Sequence, residues 1–134
     1  SNPMRTEYCG LVNRTRLGQE VTLCGWVHRR RDHGGGIFID LRDRYGIVQV
    51  VVDGSVSPEA HATLSDARVE WVLAIEGSVA LRRPGTENEK MPTGSIEVVA
   101  DSVRILSQAK TPPFYINEDV DIDEALRIRE ELAA

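Results

Sequence analysis

Between Arg29 and Gln49 the chain reads R-R-R-D-H-G-G-G-I-F-I-D-L-R-D-R-Y-G-I-V-Q. Three kinds of residue in this stretch can act together on single-stranded nucleic acid. Arg29, Arg30 and Arg31 offer charge to phosphates, an interaction that makes affinity depend on salt. Phe38 sits between Ile37 and Ile39, so in an extended strand its ring points away from the core those residues enter. A ring there can stack a base, worth about 1–3 kcal/mol per base. Gln49 faces outward on the next strand and offers both a donor and an acceptor. Glu97, outward between Ile96 and Val98 further along, only accepts when ionised. Each residue also has a plainer reading. Phe38 could cover a second small core, the arginines could be a solvated run, and an outward glutamate is usually just surface. Trp26 is better read as packed, and Tyr45, at a turn tip, as exposed. Arg42 and Arg44 are weaker phosphate ligands of the same kind.

Other chemistries find no support. Gly34-Gly35-Gly36 lacks the G-x-G-x-x-G spacing of a dinucleotide loop, and no long helix follows it. Asp40 and Asp43 stand beside Arg42 and Arg44, where salt bridging explains them better than a metal pair. His28, His33 and His61 are too scattered for zinc. No P-loop, H-E-x-x-H or nucleophile–histidine–carboxylate spacing occurs. The sequence therefore assigns no catalytic residue and no metal ligand, and it implies a binding module.

The elements that must position these residues are mostly strands. Val21, Leu23, Gly25 and Val27 alternate with Thr22, Cys24, Trp26 and His28, giving a long first strand over 20–31. Arg29 and Arg31 share one side of it and Arg30 the other, while Asp32 could hold one guanidinium in a fork. The three glycines make a bend. Ile37, Ile39 and Leu41 set the core face of a second strand, and Asp43-Arg44-Tyr45-Gly46 a tight turn. Val48, Val50 and Val52 set the core face of a third. Ser57-Pro58 starts a short helix to about Ala67, with a capping hydroxyl and proline in the first turn. Its apolar side is Ala60, Leu64 and Ala67. A fourth strand runs over 71–81, a polar loop over 82–94, and a fifth strand from Ser95 to about Leu106. A bulge near Asp101 would return Val103 and Ile105 to the core. Strand-strand-strand-helix-strand-strand is the order of an all-β, five-stranded OB-fold barrel, whose second and third strands and neighbouring loops bind oligonucleotides. A split α+β sheet is the competing arrangement.

Residues 4–108 form that domain, and Ser1-Asn2-Pro3 ahead of Met4 reads as a tag remnant. Thr111-Pro112-Pro113 falls in a linker over 109–120. Asp121 and Glu124 make a capping box for a final helix over 121–134, striped by Ala125, Ile128 and Leu132. A length of 134 residues supports one domain with a real core. No apolar run approaches the roughly 18 residues of a membrane span, and no signal peptide is visible. Cys9 and Cys24 lack metal or redox spacing and suit a reduced cell interior. The net charge of −5 is unevenly spread. Residues 1–44 carry eight Arg against five Asp or Glu, whereas residues 107–134 carry three Lys or Arg against seven acids. The basic charge thus gathers around the hairpin.

Met4-Arg5-Thr6-Glu7-Tyr8-Cys9-Gly10 resembles the start of bacterial aspartyl-tRNA synthetases. The blocks V-T-L-C-G-W-V-H-R-R-R-D-H-G-G at 21–35 and I-F-I-D-L-R-D-R-Y-G-I-V-Q-V at 37–50 are similar to that family, as are T-G-S-I-E-V at 93–98 and A-K-T-P-P-F at 109–114. The resemblance covers nearly all of residues 4–117. It implies an amino-terminal, anticodon-binding OB domain of a cytoplasmic class II enzyme. By motif, Phe38 resembles the family's ring that stacks on the central anticodon uridine, and Gln49 and Glu97 resemble the residues that read its edge. Arg31 and Arg82 resemble further anticodon-loop contacts. His33 lies in the bend facing the outer anticodon bases, where a histidine in the family goes with relaxed choice between tRNA-Asp and tRNA-Asn. The resemblance implies tRNA-Asp as partner and a homodimeric parent enzyme. Ser95 departs from the family, which has an acid there. Asp123-Glu124-Ala125-Leu126-Arg127-Ile128-Arg129 begins like the lead into the catalytic domain, but no class II motif is present. ATP and Mg²⁺ would belong to that missing domain, and this stretch alone is expected to be inactive. The alternative is a general single-strand-binding or protein-interaction OB module.

Overall fold

Alternating valine, isoleucine and leucine place one face of every strand inward, and closure of the sheet gives those faces a common interior. The computed structural model describes residues 5–108; the expected linker over 109–120 and helix over 121–134 lie outside them, as do residues 1–4. The strands are β1 (Glu20–His33), β2 (Gly36–Asp43), β3 (Gly46–Asp53), β4 (Val72–Leu81) and β5 (Ile96–Ser107), with helix α1 (Pro58–Asp66) between β3 and β4. They form a closed barrel in the order β1-β2-β3-β5-β4. β1 closes it by pairing antiparallel with β4, Leu23 opposite Ile75. Among the described residues the one parallel contact joins β3 to β5, with Val50 beside Val98 and Val51 beside Val99. This is the five-stranded OB barrel, and its closure excludes the split α+β sheet.

The core takes Val21, Leu23 and Val27 from β1, Ile37, Ile39 and Leu41 from β2, and Val48, Val50 and Val52 from β3. β4 adds Leu73, Ile75 and Val79, and β5 adds Ile96, Val98 and Ala100; none of these is more than 2 % exposed. Burying each large member contributes about 1.5–3 kcal/mol, so closing the barrel is the chief stabilising event. Ala60, Leu64 and Ala67 turn the apolar side of α1 onto the same core. Ser57 stands at the helix N-cap, but its side chain makes no capping hydrogen bond, contrary to expectation. The turn before the helix is tied through backbone instead, since Ser57 N donates to Asp53 O at 2.9 Å.

Besides an irregularity at Leu106 near the end of β5, two bulges shift the strand phase. The expected one falls at Asp101: Glu76 faces Ser102 and Gly77 faces Ala100, leaving Asp101 between them. Val103 and Ile105 then pack against the core. The other is at His28, because Val27 faces Leu41 and Arg29 already faces Asp40. Strict alternation would have sent Arg29 and Arg31 to the side of Val27, into the core. The extra residue sends them outward instead, beside Asp40 and Phe38.

Arg30 turns the other way, toward α1. Its Nη1 donates to the carbonyls of Ser65 (2.7 Å) and Ala67 (3.0 Å), a cation at the negative end of the helix. Asp32 grips it as a fork, Oδ1 to Nε and Oδ2 to Nη2, both at 3.1 Å. Asp43 also has a different role from the one its neighbours implied. It does not pair with Arg42 or Arg44. It is 1 % exposed, and it accepts from the backbone N–H of Cys9 (2.6 Å), Gly10 (3.4 Å) and Tyr45 (2.9 Å). It therefore fastens the N-terminal segment to the β2–β3 turn. Gly10 has to be glycine, because a Cβ there would run into the backbone of Tyr45 and Gly46. Cys9 and Cys24 are buried and not joined in a disulfide, and Cys9 Sγ lies 3.6 Å from the carbonyl of Cys24.

Candidate nucleic-acid interface

The β1–β2 hairpin turns at Gly34 and Gly35, whose φ values are +56° and +87°. Both central residues of a tight two-residue hairpin turn need positive φ, which glycine adopts without strain. The turn sets the register: His33 faces Gly36, and Arg31 faces Phe38. β3 continues the rows, with Val51 opposite Phe38 and Gln49 opposite Asp40. The parallel pairing of β5 sets Glu97 beside Gln49, a neighbour from nearly fifty positions along the chain.

Four of the expected residues meet here. Arg31 Nη2 donates to Gln49 Oε1 at 3.1 Å, and Gln49 Nε2 donates to Glu97 Oε1 at 2.9 Å. A cation on one end and a carboxylate on the other dictate which way the amide points. The Arg31 guanidinium also lies 5.6 Å from the centre of the half-buried Phe38 ring, within cation–π range. Phe38 thus has a cation over its ring and a row of oriented polar groups beside it. Gln49, only 6 % exposed, lies on the outward side yet is covered by its partners.

Arg82 follows the last residue of β4 and joins the cluster from below. It is 7 % exposed, and its Nε donates to the carbonyl of Ile96 at 3.0 Å. Its Nη2 is buried and makes no hydrogen bond. Burial lowers the Arg82 pKa from the usual arginine value, while the carboxylates of Glu97 and Asp40 oppose the shift. Asp40, read from the sequence as an ion-pair partner of Arg42 or Arg44, belongs to this cluster instead. It lies half-buried in register with both Arg29 and Gln49 and supplies negative charge to Arg82. Strand phase alone would have placed it in the reading row. Arg29 and His33 stand apart from the relay. Both are exposed, Arg29 at the β1 end of the row that holds Asp40 and Gln49 and His33 at the hairpin tip. The loop over 82–95 is held against β3 by Thr93, whose hydroxyl donates to the carbonyl of Ile47 at 2.6 Å.

The groups that the cluster presents are those of a binding surface. It offers a ring face, a fixed amide, a carboxylate with one oxygen outside the relay and a buried guanidinium N–H without an acceptor. Among the described residues no group of three or more His, Cys, Asp or Glu is placed to hold a metal ion. No helix among them is long and apolar enough to cross a membrane.

Fold and site together define a nucleic-acid-binding barrel, and residues 21–106 match the family described as OB-fold nucleic acid binding domain, to which the chain belongs. Its sequence is homologous to the N-terminal region of aspartate and asparagine tRNA ligases. It is 57 % identical over 125 residues to an aspartate–tRNA(Asp/Asn) ligase of Moorella thermoacetica, covering 93 % of this chain and 21 % of the relative. A ligase of the same name from Dehalococcoides mccartyi is 54 % identical over 126 residues, 94 % of this chain and 21 % of that one. Among solved structures, the asparaginyl-tRNA synthetase of Pyrococcus horikoshii superposes with a TM-score of 0.65 at 29 % identity, covering 84 % of this chain and 26 % of that chain. The chain spans about a fifth of the length of the curated relatives it matches.

Proposed function

We propose that this domain recognises the anticodon loop of tRNA-Asp, and of tRNA-Asn, for an aspartate–tRNA ligase. The observation that carries this reading is the Phe38 ring set beside the Arg31–Gln49–Glu97 relay. A base stacked on Phe38 would turn its pairing edge toward Gln49, Glu97 and Arg82. Uracil presents a ring N–H flanked by carbonyls. The carboxylate of Glu97 would accept from the N–H, and the amide of Gln49 and the free Nη2 of Arg82 would donate to carbonyl oxygens. Cytosine would instead turn a bare ring nitrogen toward the carboxylate, leaving two acceptors facing each other. Arg29 and Arg31 would hold the phosphates that flank this base, and His33 would meet an outer anticodon base. The ligase names of the relatives, which specify both tRNA-Asp and tRNA-Asn, support the wider substrate choice.

Aminoacylation, with its ATP and Mg²⁺, falls on this reading to parts of the ligase that this chain does not span. So does most of the contact that makes the parent enzyme a homodimer in the cytoplasm. The test is a fluorescence titration with anticodon stem-loops that differ only in the middle base of G-U-C. Tightest binding to the uridine loop is expected. Replacing Glu97 with Gln should erode the preference for uridine over cytidine by about tenfold, the worth of one hydrogen bond to a charged group. Equal affinity for all four loops would leave only a general single-strand-binding module.

A further inference from the structure

Beside the polar row of Arg29, Asp40, Gln49 and Glu97 runs a second row of a different kind. Phe38 faces Val51, Val51 lies beside Val99, and Val99 faces Ser78 on β4. All are on the outside of the barrel. Val51 is half-buried, and Val99 is 37 % exposed, among the most open large apolar side chains of the strands. Neighbouring strands lie about 4.8 Å apart, so the strip from Phe38 to Val99 is about 10 Å long, more than one base needs. It ends where charge changes sign. Ser78 Oγ donates to Glu20 Oε2 at 2.9 Å, which brings a carboxylate to the far side of Val99. Arg31 stands at the opposite end, over Phe38.

We propose that Val51 and Val99 form a shelf for a second nucleotide, the neighbour of the one stacked on Phe38. The occupant is a base of the same single strand lying with its flat face on the two valines. The inference rests on the reading of this face as an RNA site and extends it from one base to two. The strip is a single residue wide and bordered by polar side chains, far short of the roughly 800 Å² that a stable protein partner covers on each side. It is continuous with the Phe38 ring, so a strand that stacks one base there reaches the shelf without crossing a charged group. The carboxylate of Glu20 repels phosphate, which keeps the RNA backbone on the side of Arg29 and Arg31 and leaves only a base to cover Val99. A shelf of aliphatic groups accepts any base, so it adds affinity and register while discrimination stays with Gln49 and Glu97.

The test titrates the full chain with G-U-C stem-loops, intact or abasic at either neighbour of the middle base. Val99→Ser should weaken binding to the intact loop about threefold to tenfold, less than loss of an aromatic platform. Val99→Ile should restore the affinity. On the loop made abasic at the correct neighbour, Val99→Ser should have no further effect. Phe38→Ala is the control for the underlying reading. If Phe38→Ala weakens binding and Val99→Ser does not, the shelf is refuted and the anticodon reading stands. If Val99→Ser costs the same on both abasic loops as on the intact one, Val99 touches no base and the shelf is again refuted. If neither substitution matters, the RNA reading of the whole face fails. Val99 is exposed, so thermal melts of its variants should coincide with that of the parent, and a lowered melting point would disqualify the variant in favour of Val99→Thr.

Discussion

Two polar constructions grow from the same pair of strands. At one end of β2 and β3, Asp43 accepts three backbone N–H groups and has almost no exposure. In the middle of the same strands, Gln49 joins Arg31 to Glu97 but leaves Arg82 with a buried donor and Glu97 with an oxygen outside the relay. The first is closed: every donor aimed at the carboxylate comes from the chain itself. The second is open, and an unpaired buried donor carries a penalty that a water or a ligand can relieve. One construction is satisfied and the other keeps groups to offer, although both are built from acids and amides in neighbouring strand positions.

Asp43→Ala should have the largest effect. It strands the N–H groups of Cys9, Gly10 and Tyr45, and it should lower stability by about 3 kcal/mol, read as the midpoint of urea unfolding. RNA affinity of the molecules that remain folded should not change. A loss of affinity without a loss of stability would overturn the division into closed and open sites. Next comes Phe38→Ala, expected to weaken stem-loop binding by about 1–3 kcal/mol. Its effect on the unfolding midpoint should be smaller, because the ring is half-buried and outside the core. A variant that unfolds early yet binds normally would make Phe38 a structural residue. Arg31→Ala acts on both the phosphate contact and the orientation of Gln49. The slope of log affinity against log salt should become shallower by about 1, measured from low to physiological salt. An unchanged slope would mean that Arg31 serves only the relay.

The smallest effect concerns protons. Burial raises the Asp43 pKa above the usual carboxylate value, and the three N–H donors offset only part of that rise. The folded chain therefore binds this proton before the unfolded chain does as pH falls. Stability from this group is gained as pH drops from the raised value toward the ordinary one, and lost as pH rises across that interval. Asp43→Asn cannot titrate, so the difference in unfolding midpoint between parent and variant should shift in that direction as pH rises above the ordinary carboxylate range. A flat difference would show that the carboxylate is no worse solvated inside the clasp than outside it.

Much of this was legible beforehand, and for a physical reason. Side chains alternate along a strand, so Ile37, Ile39, Val48, Val50, Ile96 and Val98 announce a core, and Phe38, Gln49 and Glu97 are outward by default. That Arg29 and Arg31 share a side opposite Arg30 was legible too, but which side was not, because a bulge at His28 reverses the phase and nothing local to His28 signals it. Asp43 was misread for a related reason. Its sequence neighbours are arginines, but its partners are the backbone of Cys9 and Gly10, more than thirty positions away. The Ser57 hydroxyl fits the N-cap pattern, yet the helix entry uses the carbonyl of Asp53.

The sequence by itself determined the strands, the glycine turn and the identity of the outward residues, since these follow from side-chain periodicity and from the few residues that tolerate positive φ. Only the tertiary structure decided which outward residues meet. Glu97 reaches Gln49 because β5 runs parallel to β3 and closes the barrel. Arg82 lies beneath them because β4 ends there, and Arg31 stands over Phe38 because of one extra residue in β1. Each of these depends on strand pairing between distant segments, which no local pattern encodes.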